Sequence, residues 1–143
     1  MPDIIEVKKV TRTVELEKVF NIRRIVFVEE QSCPAELEWE HDDISTHFLA
    51  TCNGVPAGAA RWRKTENGYK LERFAVLMEF RNHGVGRELV KAVLGDLPRF
   101  AHPVYLNAQI AAMGFYSQLG FTKVGEEFEE AGIRHFKMIK AEE

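Results

Sequence analysis

The stretch Leu71-Glu72-Arg73-Phe74-Ala75-Val76-Leu77-Met78-Glu79-Phe80-Arg81-Asn82-His83-Gly84-Val85-Gly86-Arg87-Glu88-Leu89 decides the fold. It opens as a strand, passes through a basic turn holding two glycines, and ends as the start of an amphipathic helix. Glycine accepts backbone angles closed to other residues, so a turn with Gly84 and Gly86 can aim successive N–H groups at one anion. The helix behind it leaves its first N–H groups unpaired and carries partial positive charge there, which favours the same anion. Arg81 and Arg87 add formal charge, and the stretch reads as a phosphate cradle.

Upstream, residues 4–10 alternate as a strand, with Ile5 and Val7 apolar between charged neighbours. From Val14 the spacing of Leu16, Val19, Phe20, Val26 and Phe27 is helical, with Thr13 the expected N-cap. The β-branched run 25–28 fits the end of that helix or a strand. Residues 29–43 are acidic and contain Pro34, which suits a loop or a short second helix. Residues 47–52 and 55–63 flank Asn53-Gly54, the preferred pair for a tight hairpin, and Asn67-Gly68 leads into the strand 69–76. Downstream of the cradle, Val85, Leu89, Ala92, Val93 and Leu97 share one side of a helix ended by Gly95 and Pro98. A strand at 104–108, a helix at 111–119, a strand at 121–125 and a last strand at 133–139 complete the chain. This order predicts an α+β domain spanning residues 1–143: a mixed, mostly antiparallel central sheet flanked by helices.

The composition narrows the function. Of 143 residues, 45% are hydrophobic and 29% charged, a balance typical of a single folded domain. No run of about 18 uncharged apolar residues is present, and the first residues carry charge too early for a secretory leader, so no membrane association and a cytoplasmic location are expected. A formal net charge of −3 argues against nucleic acid as a partner. Cys33 and Cys52 form no CxxC pair and are expected as reduced thiols. His41, Asp42, Asp43 and His47 lack the spacing of a metal site and are expected in a solvated loop and a strand edge; no metal is expected.

Spacing also separates the phosphate binders. Gly84 and Gly86 are followed by Arg87, Glu88 and Leu89, so the third glycine of the dinucleotide fingerprint is missing, as is any Gly-Lys-Ser/Thr ending. The remaining pattern, Arg81-x-x-Gly84-x-Gly86 between strand and helix, resembles the coenzyme A pyrophosphate turn of the GNAT acyltransferase superfamily. Leu106-Asn107-Ala108 followed by Phe115-Tyr116-Ser117-Gln118-Leu119-Gly120-Phe121 resembles that superfamily's later strand and helix. Residues 26–34, 106–109 and 128–138 are similar to its ElaA/YjcF-like branch, although Ala131 and Arg134 stand where the branch more often has an acidic residue and proline.

The resemblance implies an acetyl-CoA-dependent N-acetyltransferase acting on a small-molecule amine or a peptide, or else a domain of the same fold that binds acyl-CoA as a sensor. It implies that acetyl-CoA lies between the strands 71–76 and 104–108. The pyrophosphate would sit on Arg81, Asn82, His83, Gly84, Val85, Gly86 and Arg87, and the acyl and pantetheine parts against Phe74, Ala75, Val76, Asn107 and Tyr116. Attack on the thioester would be direct, with the Phe74 N–H polarising the carbonyl. Tyr116 is the expected acid for the departing thiolate, or otherwise a core aromatic beside Phe115 and Phe121, and Tyr105 is a second choice for the acid. Glu72 is expected either as the base for the amine or as an ion-pair partner of Arg61 or Arg63. Strand alternation would put Glu72, Phe74 and Val76 on one face. Glu29, Glu30, Cys33 and Trp39 would fall near the acceptor. Arg61, Arg63 and Arg73 are either a solvated face or a site for an acidic acceptor, and His135 either lines the site or is an ordinary strand histidine.

Overall fold

The computed structural model describes residues 2–141. Strand β1 (Ile5–Val10) is followed by helix α1 (Thr13–Arg23), a π-helical segment (Arg24–Glu30), the short helix α2 (Ala35–Glu38), and strands β2 (Thr46–Cys52), β3 (Val55–Thr65) and β4 (Gly68–Val76). A 3-10 turn (Met78–Phe80) leads to helix α3 (Val85–Asp96). Strand β5 (Val104–Gln109), helix α4 (Met113–Gln118), and strands β6 (Phe121–Glu130) and β7 (Ile133–Lys140) complete the chain. All strands join one seven-stranded sheet in the order β1-β2-β3-β4-β5-β7-β6. The β4–β5 pair is parallel and the other pairs are antiparallel, giving the expected mixed sheet flanked by helices.

Two apolar layers cover the sheet. On one face, α1 and the π-helical segment bury Val19, Ile22 and Val26 against Leu49, Ala59 and Ala75. On the other, α3 buries Val85, Leu89, Val90 and Val93, and Tyr116 of α4 and Phe121 join them over Leu71 and Leu106. Each such aliphatic side chain contributes about 1.5–3 kcal/mol by leaving water. The β2–β3 hairpin turns at Asn53 and Gly54, whose φ angles of 53° and 82° are the positive pair that a twisted two-residue turn needs.

The structure changes several sequence-derived details. Arg12, not Thr13, is the N-cap of α1, and no side chain caps it. The β-branched run 25–28 stays helical because Val26 packs into the α1 layer, and its wider turns are π-helical. Gly95 lies inside the last turn of α3 instead of closing it. Strand β6 runs to Glu130, five residues past its expected end, because a bulge between Val124 and Phe128 re-forms the pairing to β7. That strand is the outer edge of the sheet and carries Glu126, Glu127, Glu129 and Glu130.

The largest correction concerns β4. Its register against β3 shifts between Ala59 and Arg61, where Arg73 and Phe74 together face Ala60, and Arg73 takes a φ of 59°. One extra residue reverses the alternation of side chains. Glu72 therefore shares the α1 side with Ala75, and Phe74 and Val76 turn to the α3 side with Tyr116. Simple alternation had placed Glu72 with Phe74 and Val76.

The parallel junction is short. Only Tyr69 with Val104 and Lys70 with Tyr105 pair between β4 and β5 before the strands part. Just ahead of it, Gly68 has a φ of 131°, and a Cβ there would lie 2.4 Å from the Pro103 carbonyl oxygen, whose neighbour contact is the 2.9 Å hydrogen bond from the Tyr69 N–H. Gly68→Ala is expected to destabilise the fold by about 2–4 kcal/mol, combining backbone strain with overpacking, and a denaturant midpoint measures it. Gly54→Ala, with open space around its Cβ, serves as the control for φ strain alone.

Candidate active site

Beyond Lys70 the edge of β4 that faces β5 has no partner strand, so its outward N–H and C=O groups are available to a ligand. The gap opens into a cavity of about 430 Å³. Phe74, Ala75, Val76, Asn107 and Tyr116, the five residues that the resemblance had put beside the acyl and pantetheine parts of the cofactor, line it, and so does Arg81 from the pyrophosphate turn. The π-helical segment closes one side with Val26 and Phe27, and Gln109 reaches across to Gln31 at 3.0 Å.

The turn ahead of α3 is a cradle of backbone. Asn82 and Gly84 take φ angles of 67° and 91°, and Gly84 is the N-cap of α3 without any side-chain cap. The first N–H groups of a helix of 12 residues thus face outward unpaired. Gly84 supplies the left-handed conformation, whereas Gly86 lies in the helix with ordinary angles. The value of Gly86 is its missing side chain: a Cβ there would already touch Phe115 at 3.4 Å. Val85 turns its side chain into the core and offers only backbone. Arg81 donates from Nε to the Val76 carbonyl at 2.9 Å and pairs with Glu30 at 2.8 Å. His83 pairs with Asp3, and Arg87 is exposed.

Tyr116 sits among Phe74, Phe115 and Phe121, with ring centroids 5.1–6.0 Å apart. Burial pushes its phenol well above the ordinary value, so it is protonated at neutral pH. Tyr105 is not beside the cavity; its hydroxyl meets Thr65 at 2.6 Å, which removes it as an alternative acid.

Glu72 is the centre of an ion network. Its Oε1 accepts from Arg61 at 2.9 Å and from Arg63, and its Oε2 lies 3.2 Å from Lys70. Arg61, fully buried, continues to Asp42 at 2.6 Å, and Asp42 accepts from Arg23 at 2.7 Å. Arg23, also fully buried, reaches the buried Glu38 at 2.6 Å. Burial alone would raise the Glu72 carboxyl, but Arg61, Lys70 and Arg63 outweigh it and bring its pKa to about 2. This is the ion-pair alternative read from the sequence, and such a carboxylate is a weak base for an ammonium group. Arg61 is no part of a solvated face; Asp42, partly exposed in its loop, serves two arginines, and His47, on β2, is 6% exposed against Phe20.

The sequence left His135 undecided, and the structure places it in the cavity wall, buried, with Phe128 stacked on it. Its Nδ1 is 2.7 Å from the Ile133 carbonyl, which can only accept, so Nδ1 donates, and the tautomer this fixes is the one whose lone pair is on Nε2. Glu130 lines the cavity 3.7 Å from that nitrogen. Strand alternation around Phe136 and Met138 carried a trace of this placement, but the bulge in β6 that brings Glu130 alongside left none.

Residues 12–142 match the acetyltransferase (GNAT) domain family. The chain belongs to this family. The uncharacterized N-acetyltransferase YjcF of Bacillus subtilis is 39% identical over 129 residues, 88% of this chain and 92% of YjcF. Protein ElaA of Escherichia coli is 31% identical over 134 residues, 88% of this chain and 87% of ElaA. These relatives place the chain in the ElaA/YjcF-like branch of the GNAT family. The crystal structure of Escherichia coli ElaA superposes with a TM-score of 0.83 at 29% identity, covering 96% of this chain and all 100% of that one. A GNAT family acetyltransferase from Elizabethkingia anophelis with acetyl-CoA bound shares the fold at a TM-score of 0.70 and 18% identity, over 94% of each chain.

The network makes a prediction about acid. Glu72 has its pKa lowered from 4.5 to about 2, so its contribution to stability is complete above pH 4.5 and is lost as pH falls toward 2. The loss is on the order of 3 kcal/mol. Unfolding free energy of the wild type, measured by denaturant between pH 5 and about 2.5, is expected to fall more steeply than that of Glu72→Gln, which has no such proton to take up.

Proposed function

We propose that the protein transfers an acetyl group from acetyl-CoA directly to a primary amine. The observation that carries this reading is the wedge between β4 and β5, open beyond Lys70 and flanked by the uncapped start of α3. In this reading the pyrophosphate rests on the N–H groups of Asn82, His83, Gly84, Val85, Gly86 and Arg87, with Arg81 alongside. The pantetheine arm follows the unpaired edge of β4 at Ala75 and Val76, with Asn107 on the far side.

The Phe74 N–H receives the thioester oxygen as negative charge develops on it. The amine nitrogen forms a bond to the carbonyl carbon, the C–S bond breaks, and the thiolate takes the Tyr116 hydroxyl proton. The buried phenol releases that proton only as charge builds on the sulfur next to it, and solvent restores it afterwards. The proton lost by the amine passes to His135 Nε2, which replaces Glu72 in the role expected from sequence. Glu72 instead holds Arg61, Arg63 and Lys70 in place. Cys33 and Cys52, both free thiols, support a reducing, cytoplasmic setting.

Calorimetry with acetyl-CoA and thiol release across small amines, polyamines and peptides test this reading. Gly86→Asp, which sets a carboxylate against the pyrophosphate, is expected to weaken acetyl-CoA binding by about 100-fold or more; unchanged affinity in a folded variant would sink the site. Tyr116→Phe is expected to lower kcat by about 100-fold while the acetyl-CoA Kd moves less than about twofold. Tight binding with no thiol release for any amine would mark a sensor of the same fold instead.

A further inference from the structure

The cavity wall beside Glu72 has more positive charge than its carboxylates balance. Arg61, Arg63 and Lys70 share the single carboxylate of Glu72, and Arg61 and Arg23 share Asp42. Arg73, also on the wall, donates to the backbone carbonyls of Glu38 at 3.2 Å and Leu37 at 3.0 Å, and among the described residues no carboxylate pairs with it. The cluster therefore sets five cations, Arg23, Arg61, Arg63, Lys70 and Arg73, against three carboxylates, Glu38, Asp42 and Glu72, and Glu40 adds a fourth carboxylate to the cavity lining. Arg23 and Arg61 are fully buried and their charges are used up internally. The excess lies on the members that face the cavity: Arg63, Lys70 and Arg73.

The opposite wall has the reverse character. Glu130 contacts Asn107 at 3.5 Å and His135 at 3.7 Å, and no lysine or arginine pairs with it among the described residues. His135 turns its Nε2 to the same place. A half-enclosed cation without a counter-ion favours a ligand that brings one, and charge-assisted bonds to arginine are the strong ones. A plain amine would meet the anionic wall alone and leave the cationic wall unbalanced.

Resting on the acetyltransferase reading, we propose that the acceptor is an amino acid: an amine that also bears a carboxylate. Its carboxylate sits on Arg73, Lys70 and Arg63, and its amine sits toward Glu130 and His135, pointing at the thioester held by β4. Glu72 acts here as a positioning residue, because it holds Lys70 and Arg63 at the angle the carboxylate meets.

Thiol release from acetyl-CoA is measured with the wild type on matched pairs, each an α- or ω-amino acid and the amine that lacks only its carboxylate. One further pair, phosphoethanolamine and ethanolamine, asks whether a phosphate takes the same place. At least one carboxylated member is expected to exceed its partner by about 10-fold or more in kcat/KM. Lys70→Gln and Arg73→Gln, each checked for an unaltered thermal midpoint, are expected to raise KM for that acid by about 10–100-fold, to change its decarboxylated partner less than about twofold, and to leave the acetyl-CoA Kd unchanged. The wild-type pairs stand even if a variant fails to fold.

Preference for the decarboxylated members, preference for the phosphate alone, or equal loss on both members of a pair in the variants overturns the proposal. So does weaker acetyl-CoA binding by Lys70→Gln and Arg73→Gln together, which would assign the cations to the cofactor. Turnover of plain amines alone overturns the acid-binding wall and leaves the acetyltransferase reading intact. Failure of the wild type to bind acetyl-CoA, read by calorimetry without any acceptor, ends both.

Discussion

Parallel pairing between β4 and β5 lasts for two residue pairs, and everything proposed for the site depends on that brevity. A longer ladder would close the wedge and satisfy the β4 edge with protein groups. A shorter one would leave the two halves of the sheet without a joint, because β5, β7 and β6 reach the rest of the sheet only through β4. Gly68 and Pro103 hold the junction by close backbone contact that admits no side chain. Below the junction the strands pack as a continuous sheet; above it the same backbone edge is left open on the cavity.

The bulge at Arg73 and Phe74 has the second controlling influence. It turns one strand into a device with two faces for two tasks: Phe74 and Val76 join the aromatic group around Tyr116, and Glu72 joins the ion network under α1. The network ties α1, α2, β3 and β4 together through Arg23, Asp42 and Arg61. Removing one member would strand a buried charge, so the network is costly to disturb even though a buried ion pair contributes little net stability when intact. The wall of the cavity is therefore stiff where it presents its cations.

Much of this was legible in the sequence, for physical reasons that differ by element. The hairpin at Asn53-Gly54 and the amphipathic α3 are local patterns, and local patterns survive folding. The cradle was legible because Gly84 has few other uses between a strand and a helix, although Asn82 shares the positive angles that had been assigned to Gly86. The bulge was not legible: Arg73 is a poor residue for a positive φ, and only tertiary pairing to β3 compels it. The same hidden register reversed the face of Glu72. The place of Arg23 in the network escaped and His135 stayed undecided, since their partners stand far away in sequence or across a sheet.

Strand β6 ends the sheet with four glutamates, a glycine at a φ of 77° and a bulge in which three residues face one of β7. A sheet edge is ordinarily adhesive, because its unpaired N–H and C=O groups accept another strand. Here an incoming copy of the same strand would have to follow a kinked backbone and bring its own carboxylates against a row of carboxylates. The feature that carries Glu130 to the cavity thus also opposes, at this edge, the addition of a strand from a second copy of the chain.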